Sequence, residues 1–166
     1  MGYDIMIFGM SPFTLFHVVL SLIGIVAGFV ALVGGLGGHL RSGWTAVFLV
    51  TTIATTLTGF LFPFTVFTPA IGFGIISTVV LAVAVFALYR KHLVGRWRLA
   101  FLLAALAALY LNTFVLIVQA FQKVGPLHVL APTGTEPPFA VAQGLLLLGF
   151  IAAGYRLTRR ATPMAI

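Results

Sequence analysis

Eight side chains carry most of the polar chemistry open to this chain: His17, Ser21, Asn112, Gln119, Gln122, His128, Glu136 and Gln143. The amides and the hydroxyl can only donate and accept hydrogen bonds. The imidazoles can also titrate or ligate a metal, and Glu136 follows His128 by eight residues in "LHVLAPTGTEPPF". As a general acid or base that pair would have to come within hydrogen-bond reach of a substrate. Otherwise each residue stabilises its loop, with Glu136 free to meet Lys123.

The four histidines raise a haem alternative, since imidazoles on facing helices serve as axial ligands. The pairs would be His17 with His128 and His39 with His92, one pair on each side of a membrane. Against it, only His17 lies plainly within an apolar run. A copper site from Met6, Met10 and His17 would suit Cu(I), yet methionine at a membrane edge more commonly fills apolar space. No cofactor is therefore expected, haem b being the alternative. Neither Asp4 nor Glu136 falls within an apolar run, so the carboxylate relay usual in proton-coupled transporters is missing. H-E-x-x-H, G-x-S-x-G, the Walker loop and G-x-G-x-x-G are also missing, so no motif argues for catalysis.

The elements that must position these groups are apolar. Of 166 residues 61% are hydrophobic and only 7% charged, against about 25% charged in soluble domains. Mean hydropathy is +1.21. The chain reads as one all-α membrane domain over residues 1–166. The net charge of +7 fits cytoplasmic loops better than nucleic acid. No cysteine is present, which excludes disulfide and thiolate chemistry. The first 30 residues lack the basic start and the cleavage pattern of a signal peptide.

Crossing the hydrocarbon takes about 20 apolar residues. Five runs qualify: about Phe13 to Leu36, Trp44 to Phe62, Ile71 to Tyr89, Leu99 to Phe121 and Phe139 to Tyr155. Pro63 and Pro69 in "FPFTVFTP" separate the second from the third. The fourth gives way to "KVGPLHVLAPTGTEPP", whose four prolines and two glycines argue against helix. Five alternating spans put Arg41, Arg90, Lys91, Arg96, Arg98, Arg156, Arg159 and Arg160 on one side and only Lys123 on the other. Because Lys and Arg collect in the cytoplasm, the N-terminus is expected outside and the C-terminus inside. Trp44 and Trp97 would then mark the inner interface, and Phe60, Phe62, Phe64 and Phe67 the outer one.

Residues three and four apart share a helix face. Ala100, Ala104, Ala108, Asn112, Val115, Gln119 and Gln122 make such a stripe in the fourth run, small toward the cytoplasm and amide-bearing toward the outside. His17, Ser21, Gly24 and Gly28 repeat it in the first run. Thr55, Thr56 and Thr58, then Ser77 and Thr78, then Gln143 continue the outward polar bias. The inner halves carry Ala31, Gly34, Gly35, Ala82, Ala84, Ala87, Ala152 and Ala153, suited to close helix packing. Two readings account for the polar half. Either the groups bond between helices, or His17, Gln119, Gln122, His128 and Glu136 converge at the mouth of an outward-facing cleft for a small polar ligand. In both, the amides are expected to avoid lipid.

The stretches "SPFTLFHVVLSLIGIVAG", "TTIATTLTGFLFPF" and "LNTFVLIVQAFQKVGPLHVLAPTGTEPPFAVAQ" resemble a group of small uncharacterised bacterial multi-span membrane proteins. The resemblance implies a bacterial cytoplasmic (inner) membrane and carries over no catalytic or binding residue. The expected function is a noncatalytic membrane protein that binds or scaffolds a partner from the periplasmic side, either another membrane protein or a small ligand. A small b-type haem protein and a passive small-solute pathway are the alternatives.

Overall fold

The computed structural model describes residues 11–63, 66 and 68–161. Asp4, Met6, Met10, Phe64 and Phe67 lie outside the described residues. The architecture is all-α, with helices α1 Pro12–Leu36, α2 Ser42–Gly59, α3 Pro69–Val85, α4 Arg96–Lys123, α5 Gly125–Leu130 and α6 Pro137–Ala161. A single π-helical turn, Phe86–Arg90, extends α3.

Local signals fix the ends. The Ser11 hydroxyl accepts the Thr14 N–H at 3.2 Å ahead of Pro12, and Thr68 Oγ1 accepts the Ile71 N–H ahead of Pro69. In both cases a hydroxyl takes up an orphan donor of the first turn and proline supplies a preset φ. At the far end of α1 the chain reverses through Gly38 at φ +86°, a conformation glycine adopts without steric cost. The His39 N–H then closes onto the Gly34 carbonyl at 2.9 Å.

Four helical segments, Pro12–Leu36, Pro69–Arg90, Arg96–Lys123 and Pro137–Arg159, are long and apolar enough to cross a membrane. Between 11% and 28% of each apolar window is buried inside the bundle. Val26, Val50, Val79, Leu145 and Leu148 are each about 60% exposed or more. An apolar shell of this extent on a helical bundle is what lipid covers, and four helices of this length and composition are compatible with a multi-pass membrane protein.

The run from Trp44 to Phe62 is the exception. Its helix stops at Gly59, with Phe60 to Phe62 in the turn before Pro63, and it is not one of the four membrane-length segments. Six threonines in 18 residues lower its hydropathy. Their polarity is partly masked, since Thr51, Thr56 and Thr58 return their hydroxyls to carbonyls of the preceding turn at 2.7–2.9 Å. The proline-rich stretch after the fourth run also departs from expectation. Pro126 sits in the first turn of a short helix, α5, where its missing N–H costs nothing.

α4 is the hub of the bundle and packs against every other helix, while α1 packs most extensively on α2. Ala27, Phe48, Leu49, Ala84, Ala104, Ala108 and Leu109 form the centre of the core. The small residues act as expected at Gly24, Gly28, Gly34, Ala84, Ala87, Ala104 and Ala108, all buried. Ala82 and Ala152 are exposed. Gly28 is the tightest position. A Cβ there would lie 2.5 Å from Leu109 Cδ1 and 2.8 Å from Phe48 Cδ2.

Gly28→Ala should therefore lower stability by about 1–3 kcal/mol through overpacking. Gly43→Ala, where a Cβ meets nothing within 4 Å, should not destabilise. Thermal unfolding of both variants in detergent checks the contrast.

Candidate functional site

The polar side chains at bundle depth are used in separate pairs at different levels. At the first level Asn112 on α4 donates through Nδ2 to Thr52 Oγ1 on α2 at 3.3 Å. Thr52 is 1% exposed. The third wall is Gly24 on α1, where a Cβ would stand 3.0 Å from Thr51 Oγ1, 3.2 Å from Thr52 Oγ1 and 3.7 Å from Asn112 Nδ2. A glycine there lets α1 close over the amide. Gln143 on α6 donates through Nε2 to the Phe114 carbonyl on α4 at 3.2 Å, freeing neither helix to slide past the other.

Toward the Ser11 end, His17 Nδ1 pairs with Thr58 Oγ1 at 2.8 Å. The ring meets Phe62 edge-on with centroids 5.2 Å apart, and Phe13 packs on the same Phe62 at 5.0 Å. Thr58 also donates to the Ala54 carbonyl at 2.8 Å, so its hydroxyl oxygen serves as acceptor for the imidazole N–H. Ser21 is partly buried one turn deeper than His17. These levels are seven residues apart on α1, Gly24 to His17, and six on α2, Thr52 to Thr58, or about 10 Å along the axes, and the same rise along α4 leads from Asn112 to Gln119.

The levels explain where the remaining amides go. α2 ends at Gly59, so Gln119 reaches the height at which its neighbour stops. Gln119 and Gln122 are exposed, as is His128 on α5, and no hydrogen bond to a described residue holds any of the three. The stripe from Ala100 to Gln122 is thus covered only as far as Val115. Asn112 and Gln143 turn inward as expected, whereas Gln119 and Gln122 do not face other helices.

Glu136 does not reach out to Lys123. Its Oε1 accepts the Thr133 N–H at 2.9 Å and the Thr133 hydroxyl at 2.9 Å, and its Oε2 accepts the Thr135 N–H at 3.0 Å. The Thr133 backbone N–H foremost, with the other loop donors and against an opposing effect of desolvation, lowers the carboxyl from 4.5 to about 2. The residue ties down the α5–α6 loop directly ahead of α6.

His39 lies in the α1–α2 turn, its Nδ1 3.0 Å from the Gly37 carbonyl, and His92 adopts φ +50° in the turn before α4. Each of the four histidines thus has a different setting, two near either end. Among the described residues no group of three or more His, Cys, Asp or Glu comes together.

Two cavities lie away from all eight candidate residues. One of about 40 Å³ sits in the bundle between Gly28, Thr45, Phe48, Phe101 and Leu157, and the Thr45 hydroxyl beside it has no partner among the described residues. The other, about 310 Å³, opens at the basic end among Leu36, Tyr155, Arg156 and Arg159. Of the five residues expected at a common mouth, His17 bonds to α2 and Glu136 to its own loop, while Gln119, Gln122 and His128 are exposed.

Thr52 and Gly24 are the partners that sequence reasoning missed at the Asn112 level. Thr45, Phe48, Leu49, Thr52 and Thr55 are the buried residues of α2, and their three- and four-residue spacing is the signal that could have found Thr52. No family model, curated protein or solved structure matches this chain. Its geometry is the ground for any functional reading.

A double-mutant cycle between Asn112→Ala and Thr52→Val should give a coupling of about 0.6 kcal/mol, and not above about 1.7 kcal/mol, typical of a hydrogen bond between membrane helices. For Glu136, a depressed folded pKa means stabilisation that is complete above the ordinary 4.5 and is lost as pH falls toward about 2. Hydrogen exchange at the Thr133 and Thr135 amides should accelerate over that window beyond its intrinsic pH dependence. In Glu136→Gln the excess should be absent.

Proposed function

We propose that the chain is a five-span, noncatalytic protein of a bacterial inner membrane, N-terminus outside and C-terminus cytoplasmic, which holds a partner at its outer rim. The fifth span in this reading is α2. Its alignment with α1 and α4 at the Gly24 and His17 levels supports a full crossing despite its threonines. The end at which α1, α3 and α6 finish, and at which α2 and α4 begin, carries eight of the nine Lys and Arg residues, which favours placing it in the cytoplasm.

One observation carries the functional part. Asn112, Gln143 and His17 find partners inside the bundle, whereas Gln119, Gln122 and His128 are exposed on α4 and α5 beside Lys123. Amides and an imidazole at the rim offer donors and acceptors that the chain does not use itself. A second membrane protein or a small polar ligand meeting that rim would satisfy them. The binding face is thus a surface and not a deep cleft.

Two measurements test the two parts. A membrane-impermeant thiol reagent should label Thr135→Cys from outside and Lys91→Cys only after permeabilisation; labelling of both from one face would refute five spans. A photoreactive residue in place of Gln122 should give a discrete adduct in native membranes that is absent when it replaces Val79 on the apolar surface. Identical adduct patterns at the two positions would remove the binding rim. A Soret band lost in His17→Ala would replace it with the haem alternative.

A further inference from the structure

We propose that the basic end of α6 holds a specific site for an anionic phospholipid, its phosphate seated on Arg156 and Arg159. The pocket of about 310 Å³ at that end is lined by Leu36 from the last turn of α1 and by Tyr155, Arg156 and Arg159 from α6. It rests on the reading of the chain as a membrane protein, and it holds whichever face of the membrane this end occupies.

Charge is the first argument. Both arginines are exposed, and neither has a carboxylate partner among the described residues. Glu136, the one carboxylate described, is bound by Thr133 and Thr135 in the α5–α6 loop at the start of α6. The Arg159 guanidinium lies over the Tyr155 ring, 4.7 Å from its centroid. The contact seats the guanidinium on the ring and leaves N–H donors available to an anion. A planar fork held in this way suits the paired oxygens of a phosphate.

Position separates a lipid from a soluble anion. Leu145, Leu148, Ala152, Tyr155 and Arg159 follow one another by three and four residues and so share one face of α6. All five are exposed. The face is apolar from Leu145 to Ala152, turns aromatic at Tyr155, and becomes cationic at Arg159. That is the order of an acyl chain, a glycerol backbone and a phosphate along the membrane normal. Leu36 supplies an apolar wall from the neighbouring helix, which a free phosphate would not need. Basic pockets between spanning helices at the membrane surface bind lipid headgroups in this manner.

The test uses the purified full chain in detergent, titrated with phosphatidylglycerol or phosphatidylcholine and read by native mass spectrometry as the first bound lipid. Phosphatidylglycerol should bind at least about tenfold more tightly, and R156Q/R159Q should lose about tenfold of that affinity. R90Q/R96Q removes the same charge from the same end and should leave it unchanged. Equal losses in both variants would mean diffuse attraction and would overturn the site, as would the absence of any preference. R156K/R159K keeps both charges without the fork and serves if the glutamine variant does not fold; its affinity should fall, and wild-type affinity would overturn phosphate seating by guanidinium. Displacement of the lipid by an equal concentration of glycerol phosphate would assign the pocket to a soluble anion and overturn the lipid.

Discussion

The structure depends on one requirement of a low-dielectric surround: a polar group at bundle depth must find its partner inside the protein. The Asn112 amide meets it through Thr52, which is possible only because α1 presents Gly24, with no side chain, at the same height. A larger residue at 24 would press on the Thr51 and Thr52 hydroxyls and hold α1 away from α2. The position of a glycine on one helix, a hydroxyl on the second and an amide on the third thus set the axial register of three helices together. Four residues deeper, Gly28 repeats the arrangement in apolar form against Phe48 and Leu109.

From that register the division of the polar residues follows. Where three helices overlap, the Asn112 amide and the Thr52 hydroxyl are consumed in structure. Beyond the last turn of α2 that face of α4 loses its neighbour, and the amides of Gln119 and Gln122 emerge at the surface. The same sequence pattern, a stripe of residues at three- and four-residue spacing, therefore produces a buried hydrogen bond at Asn112 and an exposed group at Gln119. The difference lies in the neighbour's length and not in the stripe itself.

This also sets what the sequence can disclose. The long apolar runs of α1, α4 and α6 were legible because hydrocarbon thickness demands them and because the loop prolines interrupt them. The threonine-rich second run was harder, since hydropathy counts a hydroxyl as polar even when Thr56 or Thr58 has returned it to the helix backbone. That Asn112 needed a partner was legible; that the partner is Thr52 depends on how α2 and α4 are rotated about their axes, which no single-helix pattern states. That Glu136 stabilises its own loop was legible; that it does so through Thr133 and Thr135 was not, because Lys123 offered a more obvious charge. The cluster of basic residues was visible as an asymmetry, but the pocket at Arg156 and Arg159 required the C-terminus of α1 beside them.

The π-helical turn at Phe86–Arg90 has a consequence of another kind. Its wider loop, closed by the Lys91 N–H on the Phe86 carbonyl at 3.1 Å, absorbs a supernumerary amino acid without breaking the helix. Everything before it keeps the phase that sends Leu81 and Ala84 inward, and Ala87 is still buried, while the Lys91 ammonium lies over the Phe86 and Trp97 rings, 5.5 Å from each centroid. The turn acts as a length adjuster between an interior fixed by packing and a terminus fixed by water, so gains or losses of chain there would be taken up locally instead of rotating the whole rod.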